Sequence, residues 1–551
     1  MIRSPGRLLA NAAWFLSALP GWVRFHRATG CVAAAQRRAL RRMVRRALPG
    51  RFEAAAGGDP FEALRRLPLT DYADYEPAIR AVREGRRCAL TRDPVRCLQP
   101  TSGTTSAPKL IPFTAAAARE LHAGLDAWIA NLYLLRPGLF LATHYWSLSP
   151  NTAPPSVASD VPVGFAGDWE YLGALQRRLA RRLFAAPEAL SRVTDPDAFA
   201  YLTLLALARD RHLGLVSVWH PSFLVMLLDA AGRHAGSIAE DVRAGTLTPP
   251  GAVAADLRSA LLRGVRPDAR RAGELEAAGF GAAEAWRAVW PRLQVISCWT
   301  GGTARAWVET LVARFPGVLI QGKGLVATEG LVSIPFGRQS RTVCAVTSHV
   351  VEFEDLDGRT VRGAWELEVG REYRVVLTTG AGLTRYRLGD VVRVNGFVNR
   401  APCLEFRGRE GGVSDLVGEK VHPRQVREVL ERIEQACAPG FQFALVAPVE
   451  TDGAFAYTLF AEPRAGAAFD GAAAARALEE GLRANYHYCH ARGLRQLDCA
   501  RAFRIVGGGA EAYRRRRMAQ GVKAGDVKFE PLSPDRDWQR VFDGGFEEAR
   551  R

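Results

Sequence analysis

The sequence predicts an α/β fold: a large N-terminal domain at 1–410 with mixed and parallel sheets, and a small mobile α/β domain at 411–551. The order strand, tight turn, helix and strand at 293–320 is typical of a parallel sheet. Residues 365–409 are instead rich in short strands, which predicts a β-rich subdomain. Gly411 and Gly412 mark a candidate hinge. At 551 residues the chain is long enough for two or three domains.

Local patterns predict the individual elements. A short strand at 95–99 precedes a loop of Ser, Thr and Gly, and Thr114 then occupies an N-cap position before a helix. Apolar residues recur on one face of that helix: Leu121, Leu125, Trp128, Ile129 and Leu132. Continuous apolar runs predict strands at 293–299 and 318–320, and later strands are predicted at 373–379, 391–394 and 403–406.

Composition limits the classes of partner. The net charge of +17 favours an anionic partner such as a nucleotide or an acidic carrier protein, but the basic runs lack the interleaved aromatics of a single-strand binder, so no nucleic acid is expected. Nine cysteines without a CxxC pair fit a reducing, cytoplasmic setting. The apolar stretch at 8–23 is interrupted by polar residues and proline, which predicts an amphipathic helix packed on the domain and no membrane insertion.

Lysine is scarce in this chain. Only five of its 74 basic residues are lysine, and all the others are arginine. Arginine replaces lysine on a solvated surface but not where a compact ammonium must fit against an anion, so each lysine is a candidate for chemistry. The five lysines are Lys109, Lys323, Lys420, Lys523 and Lys528.

The first motif predicts a phosphate loop. Between the predicted strand and helix, nine residues contain five hydroxyls, one glycine and a terminal lysine: Thr101, Ser102, Gly103, Thr104, Thr105, Ser106, Ala107, Pro108 and Lys109. Hydroxyls and exposed backbone N–H groups suit the oxygens of a polyphosphate, and the lysine adds a point charge. A flexible surface turn is the alternative interpretation.

This loop resembles the phosphate loop of adenylate-forming enzymes, with Ser106 in place of the second glycine. Three further segments resemble motifs of that superfamily in the same order: 324–330 (GLVATEG), 386–390 (YRLGD) and 408–409 (GR). Within the superfamily, the chain is most similar to the auxin-responsive acyl-acid amido synthetases, the GH-three family. The segments 217–224 (SVWHPSFL), 383–392 (LTRYRLGDVV), 417–421 (VGEKV) and 525–528 (GDVK) support that resemblance.

The resemblance implies roles for particular residues. Thr328 and Glu329 would contact the ATP phosphates, with Glu329 orienting Mg²⁺. Asp390 would accept both ribose hydroxyls, and Arg409 would add a ribose or phosphate contact. Leu325 stands where an aromatic residue is expected to stack on adenine, which gives the turn at Gly301, Gly302 and Thr303 a larger share of that contact. Lys109 and Lys528 are the predicted catalytic residues, Lys528 reaching the reacting carboxylate and the α-phosphate from the small domain.

The function implied by the resemblance is a two-step ligase that uses ATP and Mg²⁺. A carboxylic acid would be adenylated and its acyl group transferred to an amine, with an amino acid as the expected acceptor. Transfer to a thiol of coenzyme A or a carrier protein is the nearer alternative, and a non-catalytic nucleotide- or nucleic-acid-binding protein the more distant one. Five residues are candidates for the acyl pocket: Trp146, Trp219, His220, Phe223 and Val351.

Overall fold

The computed structural model describes residues 4–48, 59–101, 109–147, 159–164, 173–282, 284–301, 304–409, 414, 416–417, 419–436, 440–451, 454–466, 469–494, 496–520, 522 and 527–547. Its first elements are α1 (Ser4–Gly30), α2 (Val32–Val44), α3 (Pro60–Arg65), α4 (Glu76–Arg83), β1 (Val95–Pro100), β2 (Leu110–Thr114) and α5 (Ala115–Leu135). Strands β1 and β2 pair antiparallel. The predicted N-cap is confirmed, because the Thr114 side chain accepts a hydrogen bond from the backbone N–H of Ala117.

The N-terminal stretch is the packed helix that its sequence predicts. Helix α1 lies along α5, and Trp14 on its inner face is only 1% exposed. The Asn11 side chain donates hydrogen bonds to the carbonyls of Phe140 and Ala142 and accepts one from the Tyr133 hydroxyl, which fixes the helix against the domain. Across the described residues, no helix is long and apolar enough to cross a membrane.

A four-stranded parallel sheet follows, as the order of elements predicts. It consists of β3 (Thr143–Trp146), β4 (Leu213–Ser217), β5 (Val295–Cys298) and β6 (Leu319–Gly322), hydrogen-bonded in that order. The helices of this part are α6 (Ala174–Leu183), α7 (Pro196–Arg209), α8 (Pro221–Ala244), α9 (Ala255–Leu262), α10 (Ala269–Ala278), α11 (Trp286–Val289) and α12 (Arg305–Arg314). Because parallel strands end at one edge, residues that follow β3, β4, β5 and β6 meet there.

The strand-rich segment forms a seven-stranded sheet with the order β10-β9-β11-β12-β13-β8-β7. Its strands are β7 (Ser333–Phe336), β8 (Arg341–Cys344), β9 (Val350–Asp355), β10 (Val361–Gly363), β11 (Glu372–Thr378), β12 (Tyr386–Val398) and β13 (Ala401–Arg409). Neighbouring strands are antiparallel wherever their register is defined, including the long pair β12 and β13. The predicted β-rich subdomain is this sheet.

The C-terminal part has a sheet of its own. Its elements are α13 (Pro423–Ala436), β14 (Phe441–Thr451), β15 (Ala454–Pro463), α14 (Gly471–Arg483), α15 (Tyr486–Gly493), β16 (Arg501–Ile505), α16 (Gly509–Ala519) and β17 (Gly544–Phe546). The four strands are hydrogen-bonded in chain order, and β15 with β16 is the parallel pair. The mixed α/β fold with a small C-terminal part confirms the predicted class, whereas the boundary at 410/411 stays a prediction.

The C-terminal part packs on the parallel-sheet part through Phe529. The Phe529 ring stacks on Trp307 with centroids 6.0 Å apart and lies 5.1 Å from the ring of His220. On its other side it contacts Phe443 of β14, at 5.7 Å, and Tyr513 of α16, at 5.1 Å. One hydrophobic core therefore includes residues of both parts.

A buried glutamine joins the N-terminal helices to the seven-stranded sheet. The Gln36 side chain of α2 donates to the carbonyls of Val346 and His349, at 2.9 and 3.0 Å, and accepts from the N–H of Val351 at 2.9 Å. Because Gln36 is 0% exposed, these bonds are made away from water.

We expect Gln36→Leu to lower the free energy of unfolding by about 2–4 kcal/mol, because three buried backbone groups lose their partner. Urea denaturation followed by fluorescence measures the change. Arg38→Leu, at an exposed position on the same helix, is the matched control and should leave the midpoint almost unchanged. Equal effects of the two substitutions would contradict this assignment.

Candidate active site

Both ends of the predicted phosphate loop are held by neighbouring residues. The Thr101 N–H donates to the Lys109 carbonyl at 2.8 Å, where β1 and β2 separate. The Lys109 ammonium lies 5.4 Å from the centroid of the Tyr72 ring, and the Tyr72 hydroxyl accepts from the N–H of Leu110. Residues Ser102, Gly103, Thr104, Thr105 and Ser106 lie outside the described residues. These contacts therefore fix the position of Lys109 at the C-terminal end of the loop.

Glu329 is buried in the connection between β6 and β7. The residue is 6% exposed, and the Tyr386 hydroxyl lies 3.5 Å from its Oε1 atom. Burial raises the pKa of Glu329, and the charges of Arg409 and Lys109 oppose that rise. The neighbouring Thr328 is exposed, so this turn has one polar residue at the surface and one beneath it.

Asp390 lies within β12. It pairs in register with Arg409 of β13, and the two side chains approach to 3.9 Å. Arg409 also donates to the Leu388 carbonyl at 3.3 Å. Burial raises the pKa of Asp390, and the charges of Arg409 and then Lys528 oppose it. Two buried carboxylates are thus placed beside cations from three segments.

Lys528 reaches this site from the C-terminal part. Its side chain is exposed, and its ammonium lies 4.9 Å from the ring centroid of Trp299, which follows β5. The Tyr513 hydroxyl donates to the Lys528 carbonyl at 3.1 Å, and the adjacent Phe529 is buried. The backbone is therefore fixed while the ammonium projects toward the edge of the parallel sheet.

The predicted adenine turn is described only at its first residue. Gly301 is exposed at the end of the segment that follows β5, whereas Gly302 and Thr303 lie outside the described residues. Leu325 is partly buried, and its N–H donates to the Ser333 hydroxyl at 2.9 Å. The contact of these residues with adenine stays a prediction.

Three of the five pocket candidates lie at the carboxyl edge of the parallel sheet. Trp146 ends β3, and Trp219 and His220 follow β4. The His220 Nδ1 atom lies 2.7 Å from the Ser222 hydroxyl, and the ring is 3% exposed. Burial, and to a smaller extent the charge of Lys528, lowers the pKa of His220 to about 3.

The other two candidates lie elsewhere. Phe223, on the first turn of α8, is buried in the core, with its ring 6.4 Å from that of Phe199. Val351 lies in β9 of the seven-stranded sheet, pairs in register with Leu377 and belongs to a different hydrophobic core. The structure does not bring Val351 together with Trp146 and Trp219.

Sequence reasoning gave no site role to Trp299, which the structure places between Lys528 and Trp219. The Trp219 and Trp299 rings are 5.7 Å apart. The sequence does show a large aromatic residue, Trp299, between a buried strand and the glycine turn. An apolar run does not indicate, however, to which side its last side chain points.

Comparison with known proteins identifies the family. The model of the GH3 family N-terminal domain matches residues 23–320, and that of the GH3 family central domain matches residues 342–409. The chain belongs to the GH3 family. It is the GH-three family that the motifs resemble, so that prediction is confirmed.

Curated relatives of this GH3 protein include plant enzymes. It is 24% identical over 429 residues to a putative indole-3-acetic acid-amido synthetase, GH3.10, of Oryza sativa subsp. japonica, which covers 74% of this chain and 84% of the relative. It is 27% identical over 484 residues to the probable indole-3-acetic acid-amido synthetase GH3.4 of the same subspecies, which covers 79% and 75%.

Solved structures share the fold. The GH3.15 acyl acid amido synthetase matches with a TM-score of 0.78 at 17% identity, over 96% of both chains. The AtGH3.15 acyl acid amido synthetase in complex with 2,4-DB matches with a TM-score of 0.81 at 16% identity, over 97% of this chain and 98% of that one. At these identities the likeness establishes the fold of the GH3 protein and not its substrate.

We expect Asp390→Asn to weaken ATP binding about 10- to 100-fold, because hydrogen bonds from the ribose hydroxyls to a charged acceptor are worth about 1.5–3 kcal/mol. Calorimetric titration with a non-hydrolysable ATP analogue measures this loss. The same analogue without its 2′ and 3′ hydroxyls should bind the wild type and the variant alike. Asp357→Asn, at an exposed turn, is the matched control. An equal loss of affinity for both nucleotides would contradict a contact between Asp390 and the ribose.

Proposed function

We propose that this GH3 protein is an ATP-dependent, AMP-forming ligase that adenylates a carboxylic acid and transfers the acyl group to an amine, with an amino acid as acceptor. Its membership of the GH3 family and its relatives named as amido synthetases support the reaction class. None of the relatives described above is named for a carrier-protein acceptor.

The observation that carries the proposal is the convergence of five charged side chains from distant segments. Lys109 closes the loop after β1, Glu329 precedes β7, Asp390 and Arg409 face each other on β12 and β13, and Lys528 comes from the C-terminal part. The charges of Arg409 and Lys109 act on Glu329, and those of Arg409 and Lys528 act on Asp390, which supports a single shared site. A nucleotide triphosphate presents both the hydroxyls and the anionic oxygens that such a set binds.

Two groups of these residues would orient ATP, one at the ribose and one at the phosphates. Asp390 would accept the ribose hydroxyls, while Lys109 and the hydroxyl loop would hold the β- and γ-phosphates. Glu329 fits a magnesium site, because its carboxylate is buried and, among the side chains of the described residues, it accepts one long hydrogen bond of 3.5 Å, from Tyr386. Mg²⁺ bound there with the phosphates would neutralise their charge.

In the first step, a carboxylate oxygen of the acid attacks the α-phosphorus, and the bond from that phosphorus to pyrophosphate breaks. Negative charge accumulates on the α-phosphate oxygens in the transition state. The Lys528 ammonium, whose neighbour Phe529 is buried, would stabilise that charge.

In the second step, the amine nitrogen attacks the acyl carbon, the bond from that carbon to the AMP oxygen breaks, and the nitrogen loses a proton to give the amide. The acceptor needs access to the acyl carbon, which a Lys528 beside the α-phosphate would obstruct. We therefore propose that the C-terminal domain rotates about a hinge at 409–412 and withdraws Lys528 between the steps.

Replacing the tail lysine tests the first step. We expect Lys528→Ala to slow acid-dependent exchange of pyrophosphate into ATP at least about 100-fold, because a preorganised cation at the developing charge is lost. Aminolysis of a preformed acyl-adenylate should change little, since the phosphorus chemistry is already complete. Arg540→Ala, at an exposed basic residue of the same tail, is the control. An equal loss in both half-reactions would contradict the role given to Lys528.

An acid panel tests the reaction class. We expect pyrophosphate exchange with at least one carboxylic acid, and with mixed amino acids we expect an amide of that acid together with AMP, detected by mass spectrometry. If a thioester forms with coenzyme A and no amide is detected, the acceptor is a thiol and not an amine. If the folded protein binds ATP but no acid supports exchange, the ligase proposal fails.

A further inference from the structure

Lys323, the residue directly after β6, occupies an aromatic cage. Its ammonium donates to the Ser217 hydroxyl at 2.5 Å and lies 5.0 and 5.4 Å from the ring centroids of Trp219 and Trp128. The side chain is partly buried, so it is enclosed without being sealed inside the core. We call Lys323, Ser217, Trp128 and Trp219 the lysine cage.

The lysine cage contains a cation without an anion. Within the described part of the chain, no carboxylate lies within salt-bridge distance of Lys323. Burial lowers the pKa of Lys323 to about 8, and its interaction with the Cys298 thiol opposes that change. A partly desolvated ammonium is costly unless it is paired, and indole faces and one hydroxyl compensate only part of that cost. At neutral pH most of these ammonium groups remain charged and able to attract an anion.

The sheet face around the cage presents further unused donors. Ser217 pairs in register with Trp146 of β3 and Ser297 of β5, so the three side chains share one face. The indole N–H of Trp146 and the hydroxyl of Ser297 are buried and have no hydrogen-bond partner among the described residues. Both groups can donate, which makes this face suited to oxygen acceptors.

Lys323 is separate from the groups proposed to bind ATP. Its ammonium is held by Ser217, Trp128 and Trp219, whereas the charges of Lys109, Arg409 and Lys528 act on Glu329 and Asp390. A chain of contacts through two indoles links the two ammonium groups: Lys528 lies over Trp299, the tilted rings of Trp299 and Trp219 are 5.7 Å apart, and Lys323 lies over Trp219. An apolar wall therefore has one cation at each end.

We infer that Lys323 binds a second anionic group of the acid substrate, so that the preferred substrate is a dicarboxylate with an apolar or aromatic body. The inference rests on the proposed ligase function. One carboxylate meets Lys528 and the α-phosphate and reacts there, while the far carboxylate pairs with Lys323. The body between them lies along Trp219 and Trp299, where an aromatic ring can stack.

Matched pairs of acids test this inference: suberate with octanoate, and 4-carboxycinnamate with cinnamate. In pyrophosphate exchange without amine, we expect the wild type to use each diacid with a kcat/KM about 10-fold or more above that of its monoacid. Lys323→Met keeps the volume of the side chain and removes its charge. It should lower kcat/KM for the diacids about 10- to 100-fold and change the monoacids less than about threefold.

Two controls separate charge from folding. Lys323→Arg retains the cation and should keep part of the diacid preference, while Arg432→Met, at an exposed position of α13, should behave as the wild type. Because the exchange assay contains no amine, an effect there belongs to the acid and not to the acceptor. Equal losses for diacid and monoacid in Lys323→Met, or a wild type that prefers monoacids, would overturn the inference.

Direct binding distinguishes this inference from the ligase proposal. Equilibrium dialysis with radiolabelled suberate and octanoate, in the presence of a non-hydrolysable ATP analogue, requires no turnover. If Lys323→Met weakens diacid binding at least about 10-fold, the result supports a carboxylate at Lys323 even if no pyrophosphate exchange is seen. If the wild type does not bind suberate more tightly than octanoate, the inference is wrong whether or not the enzyme is a ligase.

Discussion

The candidate site is built around two buried carboxylates, Glu329 and Asp390. Without nearby cations, the burial of these charges would destabilise the fold. Removal of a carboxylate from water costs several kcal/mol unless a cation or donor lies close, and here the direction of both pKa shifts shows that burial outweighs the nearby charge. The cations come from β13, from the loop after β1 and from the C-terminal tail. The chain therefore assembles this charge arrangement only when three separate parts of the fold are in place.

The position of the tail cation follows from the packing of its neighbours. Val527 and Phe529 are buried, whereas Lys528 between them is exposed. In an extended segment successive side chains point in opposite directions, so the burial of the two apolar residues directs the lysine outward. Phe529 contacts both Trp307 and Phe443, which belong to different parts of the structure. The hydrophobic contact that joins the two parts thereby also places Lys528 over Trp299.

Much of the fold could be predicted because its signals are local. The N-cap at Thr114, the apolar runs of β5 and β6 and the helical N-terminal stretch are each specified by residues adjacent in the chain. The family could be predicted because its motifs are short and ordered along the chain.

Contacts between residues that lie far apart in the chain could not be predicted from such local signals. The pairing of Asp390 with Arg409 depends on the register of two long strands, and β-bulges on that pair shift the register twice. Val351 has the apolar character of a pocket residue, but its strand belongs to the seven-stranded sheet and its backbone bonds to Gln36. Composition alone cannot separate such a residue from Trp146, because both are apolar residues on buried strands.

The scarcity of lysine acquires a physical meaning from the rings that surround the lysines. Lys109 lies over Tyr72, Lys323 over Trp128 and Trp219, and Lys528 over Trp299, all with the ammonium 4.9–5.4 Å from a ring centroid. A guanidinium in these places would stack flat and cover the ring with a rigid fork of donors. An ammonium is compact, and its three donors can turn toward an incoming oxygen while the ring still stabilises the charge. Three of the five lysines thus hold a compact cation beside an aromatic face, which supports the anion-binding roles proposed for them.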